Sequence, residues 1–280
     1  MLLQDFRPAP DLQEFVQLYR IVHFRFDKGQ DIPSKAYPPR PEHCLAFYPF
    51  DTETVEHWHS GKIIKDIPVV LYGQYAEVTN RKIGANFLVF QIIFNPGALF
   101  RLTGIPTHYF NDTYQDATSV FSNELKFVNE QFQHAKDYPG MLDVANRFVR
   151  KLTRQHKKQR LPIDDACEWF LQQKRNFCID QLARESCLSF RQLDRLFKER
   201  TGVNPKLYQR IIRFDKAFRL KNSKPSLDWL SIALSCDYYD HQHLGKDYKT
   251  FTGLSPSEFH LIENKAPERV FGLNEGFYEA

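Results

Sequence analysis

The chain has 280 residues, of which 42% are hydrophobic and 26% charged, and its formal net charge is +4. These proportions are typical of a soluble globular protein of about two domains. No apolar run approaches the roughly 20 residues that a membrane helix needs, and the N-terminus lacks the features of a secretory signal. The five cysteines form no CxxC pair that would indicate a disulfide framework or a zinc knuckle. We therefore expect a cytoplasmic protein.

Residues 1–155 are predicted to form a β-rich domain that ends in helices. Short apolar stretches alternate with turn residues, and β-branched and aromatic residues dominate them, as is usual for strands. These stretches are FVQLYRIVHFRF (15–26), HCLAFYPF (43–50), IPVVLYG (67–73) and NFLVFQIIF (86–94). The segment NPGALFRLTG (95–104) is predicted to form a short helix that closes one end of this domain.

Helical spacing of apolar residues follows the predicted strands. It appears in 119–133 and again in 141–152. The segment 153–160 is polar and basic, and we take it as the boundary with an all-helical domain at 163–263. Residues 264–280 form a tail.

The charge is concentrated in one part of the helical domain. Residues 174–224 contain 14 Lys and Arg against 5 Asp and Glu, a net charge of +9. Residues 225–265 contain 3 against 6, a net charge of −3. The first segment is suited to a polyanion, and the second adds little attraction. A basic face is also common on solvated surfaces, so charge alone does not decide between these alternatives.

An internal repeat organises the helical domain. The segment FKERTGVNPKLY (197–208) matches YKTFTGLSPSEF (248–259) at an offset of 51 residues. Upstream of these segments, a Leu-Ala pair at 182–183 matches an Ile-Ala pair at 232–233. The chain therefore contains two versions of one helical unit.

Each unit has the pattern of a helix-turn-helix. In the first unit, a short helix is predicted over 179–185, a turn over 186–188, and a second helix with Ser189 as its N-cap. The second helix has an inner apolar stripe made of Leu193, Leu196 and Phe197. Its outer stripe consists of Arg191, Arg195 and Lys198.

A short helix with cationic side chains at its N-terminal end fits the major groove of DNA. There Arg binds guanine, and Gln binds adenine, through two hydrogen bonds. We therefore predict that Arg191, Gln192 and Arg195 contact bases. Phosphate contacts are predicted for Ser189, Lys198, Arg200, Lys206 and Lys249. The competing interpretation is an amphipathic surface helix with solvated arginines.

The second unit repeats the arrangement with less charge. Asp240 is the predicted N-cap, and the outer side of the following helix carries His241, Gln242, His243 and Lys246. A long helix over 205–220, capped by Asn204, joins the two units. Sixteen residues span about 24 Å, so this spacer would let the two units enter successive major grooves about 34 Å apart.

Residues 163–262 resemble the DNA-binding domain of the AraC family of bacterial transcription regulators. The motifs I-x-x-L-A, L-S-x-R-x-L-x-R-x-F-K, T-G-x-x-P, Y-D-x-x-H-L and F-T-G-L-S-P-S-E-F occur in the family's order and spacing. In the turn of the second unit, Asp237 stands where the family usually has Gly, and His243 stands where Ser is frequent.

The resemblance implies an α+β protein. Its β-rich N-terminal domain is followed by an all-α domain of two helix-turn-helix subdomains joined by a long helix. The resemblance assigns base contacts to Arg191, Gln192, Arg195, His241, Gln242 and Lys246. It implies double-stranded DNA and RNA polymerase as partners, and it allows a small-molecule effector and a homodimer. The N-terminal half, with R-P-E-H-C-L-A-F-Y, resembles an uncharacterised regulator sensor domain.

The N-terminal half also offers candidates for chemistry. His57 and His59 would face the same side of a strand and could share a metal, but a polar strand end is the default interpretation. Cys44 is expected to be a small core residue rather than a nucleophile. Aromatic residues here either line an effector pocket or fill a core; they are Tyr19, Phe24, Phe47, Tyr48, Trp58, Tyr72, Tyr75, Phe87 and Phe90.

Three functions compete at this stage. The first is a sequence-specific DNA-binding transcription regulator without enzyme activity or cofactor, modulated by an N-terminal ligand-binding or dimerisation domain. The alternative is a metal-dependent enzyme in the β-rich half with an accessory DNA-binding half. A third interpretation is a helical module that binds a protein instead of DNA.

Overall fold

The N-terminal half is built from two antiparallel sheets. The computed structural model describes residues 2–27, 29–155, 157–172, 182–184 and 186–272. Its strands are β1 (Leu2–Phe6), β2 (Val16–Arg25), β3 (Lys35–Tyr37), β4 (His43–Phe47), β5 (Thr54–His57), β6 (Ile63–Ile64), β7 (Val69–Tyr72), β8 (Thr79–Lys82), β9 (Asn86–Phe94) and β10 (Gln115–Asp116). One sheet has the order β1-β2-β9-β4-β7-β10, and the other has the order β3-β8-β5-β6.

The central strands of the larger sheet, β4, β7 and β9, are buried on both faces, which explains why they are nearly continuous apolar runs. In β4, Leu45 and Phe47 point into a core formed with helices, whereas Cys44 and Ala46 point into a second core. Both sets are fully buried. The strands predicted at 15–26, 43–50, 67–73 and 86–94 are confirmed, as is the core position of Cys44.

The smaller sheet was not predicted. Its strands are short, and polar residues such as Glu56 and Asn80 lie within them. A two- to four-residue strand of this composition has no distinct hydrophobic period. The sheet is defined by hydrogen-bonded pairing of its strands. β8 lies between β3 and β5, and Val55 of β5 lies opposite Arg81 on one side and Ile64 on the other.

The helices follow the apolar periodicity of the sequence. They are α1 (Ala98–Thr103), α2 (Glu124–Gln133), α3 (Tyr138–Arg154), α4 (Pro162–Gln172), α5 (Phe190–Thr201), α6 (Pro205–Ser223), α7 (Trp229–Ser235), α8 (His241–Thr252), α9 (Pro256–Glu263) and α10 (Pro267–Val270). The helix predicted from residue 119 begins at Glu124 instead, because 117–119 form a separate 3₁₀ turn capped by Asp116. The α+β architecture expected from the sequence is confirmed.

Two separate cores form in the C-terminal half, and α6 contributes to both. Near its start, Tyr208 packs with α4 and α5. Further along, Ile211, Phe214 and Phe218 pack with α7, α8 and α9. These four side chains are at most 3% exposed. The helix therefore connects the two units rigidly, because it contributes buried side chains to both cores.

The two halves of the chain pack against each other. Ala36 of β3 and Val78, which directly precedes β8, join the core around the second half of α6. Ion pairs surround this apolar contact: Arg40–Asp215 at 3.8 Å, Arg219–Glu42 at 3.7 Å and Lys35–Glu263 at 3.6 Å. Lys35 also pairs with Glu268 of α10, and α10 thereby covers one side of the β-rich half.

Among the helices that the structure describes, none combines the length and apolarity needed to cross a bilayer. The first helix of the first unit was predicted over 179–185, and of these residues only 182–184 are described; they are helical. The other residues of that predicted helix lie outside the described residues, as does Cys178. The part of the predicted tail at 273–280 lies outside them as well.

The burial of His43 gives a pH-dependent stability. The ring Nε2 lies 3.2 Å from the Thr201 carbonyl oxygen, and burial lowers the pKa of His43 to about 4. The unfolded chain takes up this proton near pH 6.5, so the unfolded state gains protons first on acidification. We expect the free energy of unfolding to fall between about pH 6.5 and 4, by up to about 3 kcal/mol from this group.

His43→Gln tests this expectation by urea unfolding across the same pH range. Gln keeps a donor near the position of Nε2 but does not titrate. The variant should lose less stability on acidification than the wild type. Parallel curves for the two proteins would show that another group causes the pH dependence.

Candidate nucleic-acid interface

The turns of the two units have the same backbone geometry. In the first unit, the N–H of Ser186 donates to the Leu182 carbonyl at 3.0 Å, and the N–H of Leu188 donates to the Ala183 carbonyl at 3.0 Å. In the second unit, the corresponding bonds run from Cys236 to Ile232 and from Tyr238 to Ala233, both at 3.0 Å. The internal repeat of the sequence is therefore a repeat of structure.

Each turn contains one residue in the left-handed region. Cys187 has φ +52°, and Asp237, at the equivalent position, has φ +60°. Gly is the residue that adopts this conformation without strain, whereas a side chain adds a cost of about 1–2 kcal/mol, lower for Asp. Asp237, which stands where the family usually has Gly, thus keeps the left-handed backbone conformation of the turn. The Lys216 ammonium lies 3.4 Å from its carboxylate.

Side-chain caps begin the second helix of each unit. Ser189 accepts from the N–H of Gln192, and Gln192 Oε1 accepts in return from Ser189 N–H at 3.0 Å, a reciprocal capping box. Asp240 caps α8 by accepting from His243 N–H at 2.8 Å. Both predicted N-caps are confirmed, and so is Asn204 at the start of α6.

The inner and outer stripes of α5 face as the sequence indicates. Leu193 and Phe197 are fully buried, whereas Arg191, Gln192 and Arg195 are exposed at the N-terminal end. Arg195 is 65% exposed and pairs with Glu199, one turn further, at 2.8 Å. The capping box uses only the carbonyl oxygen of Gln192. The three proposed base readers therefore share one accessible surface.

The outer face of α8 is also accessible. His241, Gln242, His243 and Lys246 are exposed, and Leu244 and Tyr248 are buried on the other side. Lys198, Lys206 and Lys249, the lysines predicted to contact phosphates, are exposed as well. We refer to α5 and α8 as the recognition helices below.

Arg200 requires a correction. It was predicted to contact phosphate, but it is only 2% exposed. Its guanidinium lies 2.9 Å from Glu199, 3.4 Å from Asp164 and 4.4 Å from the ring centre of Phe100. The helical period places it on the inner side of α5, where it joins α4 and α1, so it cannot serve a phosphate in this conformation.

An ion-pair network that the sequence did not reveal orients α8. Asp247 is 4% exposed and accepts from Arg210 at 2.9 Å, from Arg213 at 3.1 Å and from the Tyr238 hydroxyl at 3.0 Å. These contacts tie the recognition helix to α6 and to its own turn. The available signal was an acidic residue next to Tyr248, on the apolar side of the helix.

His57, the last residue of β5, and His59, in the turn that follows it, meet one carboxylate. His57 Nδ1 and His59 Nδ1 each lie 3.1 Å from an oxygen of Glu77. In the part of the chain that the structure describes, no group of three or more His, Cys, Asp or Glu side chains is arranged to hold a metal ion. The two rings therefore converge on the same carboxylate of Glu77.

Matches to known domains agree with this geometry. Residues 182–261 match the family described as "Helix-turn-helix domain", and residues 4–116 match a "Domain of unknown function (DUF6597)". The C-terminal part of the chain is therefore an AraC-type helix-turn-helix domain, preceded by a β-rich domain of that uncharacterised family.

Two curated relatives resemble the helix-turn-helix part. The HTH-type transcriptional regulator ArgR of Pseudomonas aeruginosa is 33% identical over 79 residues, which is 28% of this chain and 24% of the relative. An uncharacterized HTH-type transcriptional regulator of Haemophilus influenzae is 35% identical over 91 residues, which is 32% of this chain and 30% of the relative. The chain thus spans less than a third of the length of either relative.

Solved structures of similar proteins cover more of the chain. ToxT from Vibrio cholerae is 11% identical, with a TM-score of 0.46 over 89% of this chain and 98% of ToxT. The AraC-like transcriptional activator CuxR is 13% identical, with a TM-score of 0.29 over 84% of each chain.

The left-handed turn residues generate a stability prediction. Cys187→Gly should raise the free energy of unfolding by about 0.5–1 kcal/mol, because Gly removes the strain at φ +52°. Asp237→Gly should raise it less, because Asp tolerates this region better and its contact with Lys216 is lost. Urea unfolding measures both changes.

Asp194→Gly is the matched control, since it places Gly at an exposed helical position of α5. It should lower stability by about 1 kcal/mol. A destabilised Cys187→Gly would contradict the assignment of strain to this turn.

Proposed function

We propose that this protein is a sequence-specific DNA-binding transcription regulator whose two helix-turn-helix units read successive major grooves. The observation that carries the proposal is the duplicated turn, which in each unit presents the polar N-terminal end of a recognition helix to solvent. A helix-turn-helix uses this end of its second helix to contact base edges.

In α5, Arg191, Gln192 and Arg195 are the proposed base contacts. The exposed pair between Arg195 and Glu199 contributes little stability in water, so Arg195 can exchange it for guanine at small cost. In α8, His241, Gln242 and Lys246 have the equivalent role. The proposed phosphate contacts are Ser189, Lys198, Lys206 and Lys249. Arg200 is not among them because it is buried.

The first unit supplies most of the electrostatic attraction in this proposal. The net charge of +9 in 174–224 contrasts with −3 in 225–265. Each phosphate that a Lys or Arg neutralises releases counterions, which favours binding at low salt. The second unit therefore adds base contacts rather than charge.

We also infer that the β-rich half binds a small effector. A cavity of about 90 Å³ lies between its two sheets and α10. Its apolar walls come from Leu3, Val22, Phe24, Ile83, Phe87 and Val89. Among the aromatic residues expected to line a pocket, Phe24 and Phe87 do so, whereas Tyr19 and Phe47 are in the core shared with the helices.

Two buried polar atoms at the cavity support this inference. Arg81 Nη2 and Gln91 Oε1 find no hydrogen-bond partner among the described residues. Both side chains adjoin Tyr72: Gln91 Nε2 donates to its hydroxyl at 3.1 Å, and the Arg81 guanidinium lies 5.3 Å from its ring centre. A small molecule with an apolar body and one polar group that both accepts and donates would satisfy both atoms.

The resemblance alone supports a homodimer and contacts with RNA polymerase, and both stay predictions. The metal-enzyme alternative is tested by metal analysis of the purified protein. Stoichiometric metal that is lost on changing His57 and His59 would favour it.

Alanine substitutions test the DNA contacts. A duplex is first selected from a random-sequence library with the wild-type protein. Arg191→Ala and Arg195→Ala should each weaken binding to this duplex by about 1–3 kcal/mol and relax the base preference at one position. Lys198→Ala should weaken binding to all sequences alike and reduce the salt slope by about 1. Gel shifts at several salt concentrations measure these effects.

Lys224→Ala is the matched control, because Lys224 is an exposed basic residue that follows α6, outside both recognition helices. It should retain the wild-type base preference. Unchanged specific binding in both arginine variants would refute the assignment of α5 as a recognition helix.

A cavity-filling variant tests effector binding. Val89→Phe places a phenyl ring in a cavity of about 90 Å³ and leaves little room for a ligand. Compounds that bind in the cavity and raise the melting temperature of the wild type should therefore not stabilise this variant. At 100 times its Kd, such a compound adds about 2.7 kcal/mol to the wild type. Val89→Ile, a smaller change, is the control. Equal shifts in wild type and Val89→Phe would place the compound elsewhere.

A further inference from the structure

The C-terminal end of α5 is capped by side chains of the N-terminal half. A helix leaves its last four carbonyl groups without partners inside the helix. The carbonyl of Glu199 accepts from Thr107 Oγ1 at 3.0 Å, and that of Gly202 accepts from Asn111 Nδ2 at 2.8 Å. His43 Nε2 lies 3.2 Å from the Thr201 carbonyl, which can only accept. Three side chains of the N-terminal half thus meet two carbonyls in the last turn of α5 and the carbonyl of its C-cap residue, Gly202.

The equivalent end of α8 has a different environment. Gly202 and Gly253 occupy the same position after each recognition helix, with φ +85° and +73°. A Cβ built on Gly202 would lie 2.2 Å from Asn111 Oδ1, whereas one built on Gly253 meets nothing within 4 Å. The close approach is therefore specific to the first unit.

Arg200 reinforces the same junction from inside. Its guanidinium lies over the ring of Phe100 in α1 and beside Asp164 in α4. A Cβ on Gly97 would lie 3.2 Å from Arg200 Cγ, so the backbone before α1 also touches this side chain. The last turn of α5 is thereby held by the β-rich half on two sides.

The capping contacts continue to the cavity through a short stretch of chain. Arg20 and Arg40 line the cavity, and Arg20 pairs with Glu42 at 3.1 Å. Glu42 directly precedes His43, the residue that meets Thr201. Four consecutive positions, 40–43, therefore lead from the cavity wall to the end of α5.

We propose that the N-terminal half serves as the C-terminal cap of α5 and thereby holds this recognition helix in its orientation, whereas Gly253 at the equivalent end of α8 has open space beside it. Thr107, Asn111 and His43 are then positioning residues, because they act on DNA through α5. The proposal rests on the proposed DNA-binding function, and it states where an occupied cavity would act: on the first unit. The proposed base contacts lie about 6 to 17 Å along the helix axis from the capped carbonyls, so a small tilt at the cap displaces them.

An isosteric pair of substitutions at position 107 tests the proposal in the full chain. Thr107→Val keeps the shape but removes the donor, and Thr107→Ser keeps the donor. The DNA is the duplex that the wild type selects from a random library, together with duplexes scrambled in either half. Thr107→Val should bind the intact duplex about tenfold more weakly, and the loss should vanish when the half that α5 contacts is scrambled. Thr107→Ser should stay within about twofold of the wild type.

Asn111→Ala provides a second variant, since Asn111 is only half-buried and its truncation is less disruptive than a change at Thr107. Its matched control is Asn129→Ala, because Asn129 is another half-buried Asn of the β-rich half that donates to a backbone carbonyl, that of Tyr48, at 3.1 Å. Only Asn111→Ala should weaken binding to the half-site of α5. Equal losses in the two Asn variants, or in Thr107→Val and Thr107→Ser, would overturn the proposal.

Hydrogen exchange of the free proteins separates this proposal from the DNA-binding function. Thr107→Val and Asn111→Ala should accelerate amide exchange in 190–201 several-fold and leave 241–252 unchanged. The proposed cap would be overturned if amide exchange in α5 were equally fast in the wild type and both variants. It would also be overturned if exchange in α8 accelerated as much as exchange in α5. If the wild type selects no DNA sequence, the DNA-binding function falls, and the exchange rates alone decide whether the cap exists.

Discussion

The C-terminal half depends on one helix that is buried from two sides. Tyr208 of α6 completes the core of the first unit, and Phe214 and Phe218 complete the core of the second. Because α6 is packed into both cores, the relative placement of α5 and α8 is set by side-chain packing and not by a flexible linker. The ion pairs of Asp247 with Arg210 and Arg213 add a polar restraint on the second unit alone.

The recognition helices could be predicted from the sequence because their signals are local. Ser189 and Asp240 cap helices that start one residue later, and Leu193 and Phe197 are separated by one helical turn. The duplication gave a second, independent copy of the pattern. The long apolar strands were also predictable, since a sheet buried on both faces needs continuous apolar runs.

The remaining features depend on contacts between residues that are distant in the chain. Arg200 has the composition of a phosphate contact, and only its partners Asp164 and Phe100 show that it is buried. His43 meets Thr201 across 158 positions, and no periodicity or motif indicates such a pair. The smaller sheet was missed for a related reason, because its short polar strands acquire their identity from pairing.

The close approach of Gly202 and Asn111 limits how freely the N-terminal and C-terminal halves of this chain could be recombined with other domains during evolution. A methyl group in place of the Gly202 hydrogen would collide with the amide of Asn111, so a helix-turn-helix half fits this N-terminal half only if it has glycine at this position. A new N-terminal half would likewise have to supply hydroxyl, amide and imidazole groups at the same three places. The two halves are therefore expected to change together, as a matched pair rather than as interchangeable modules.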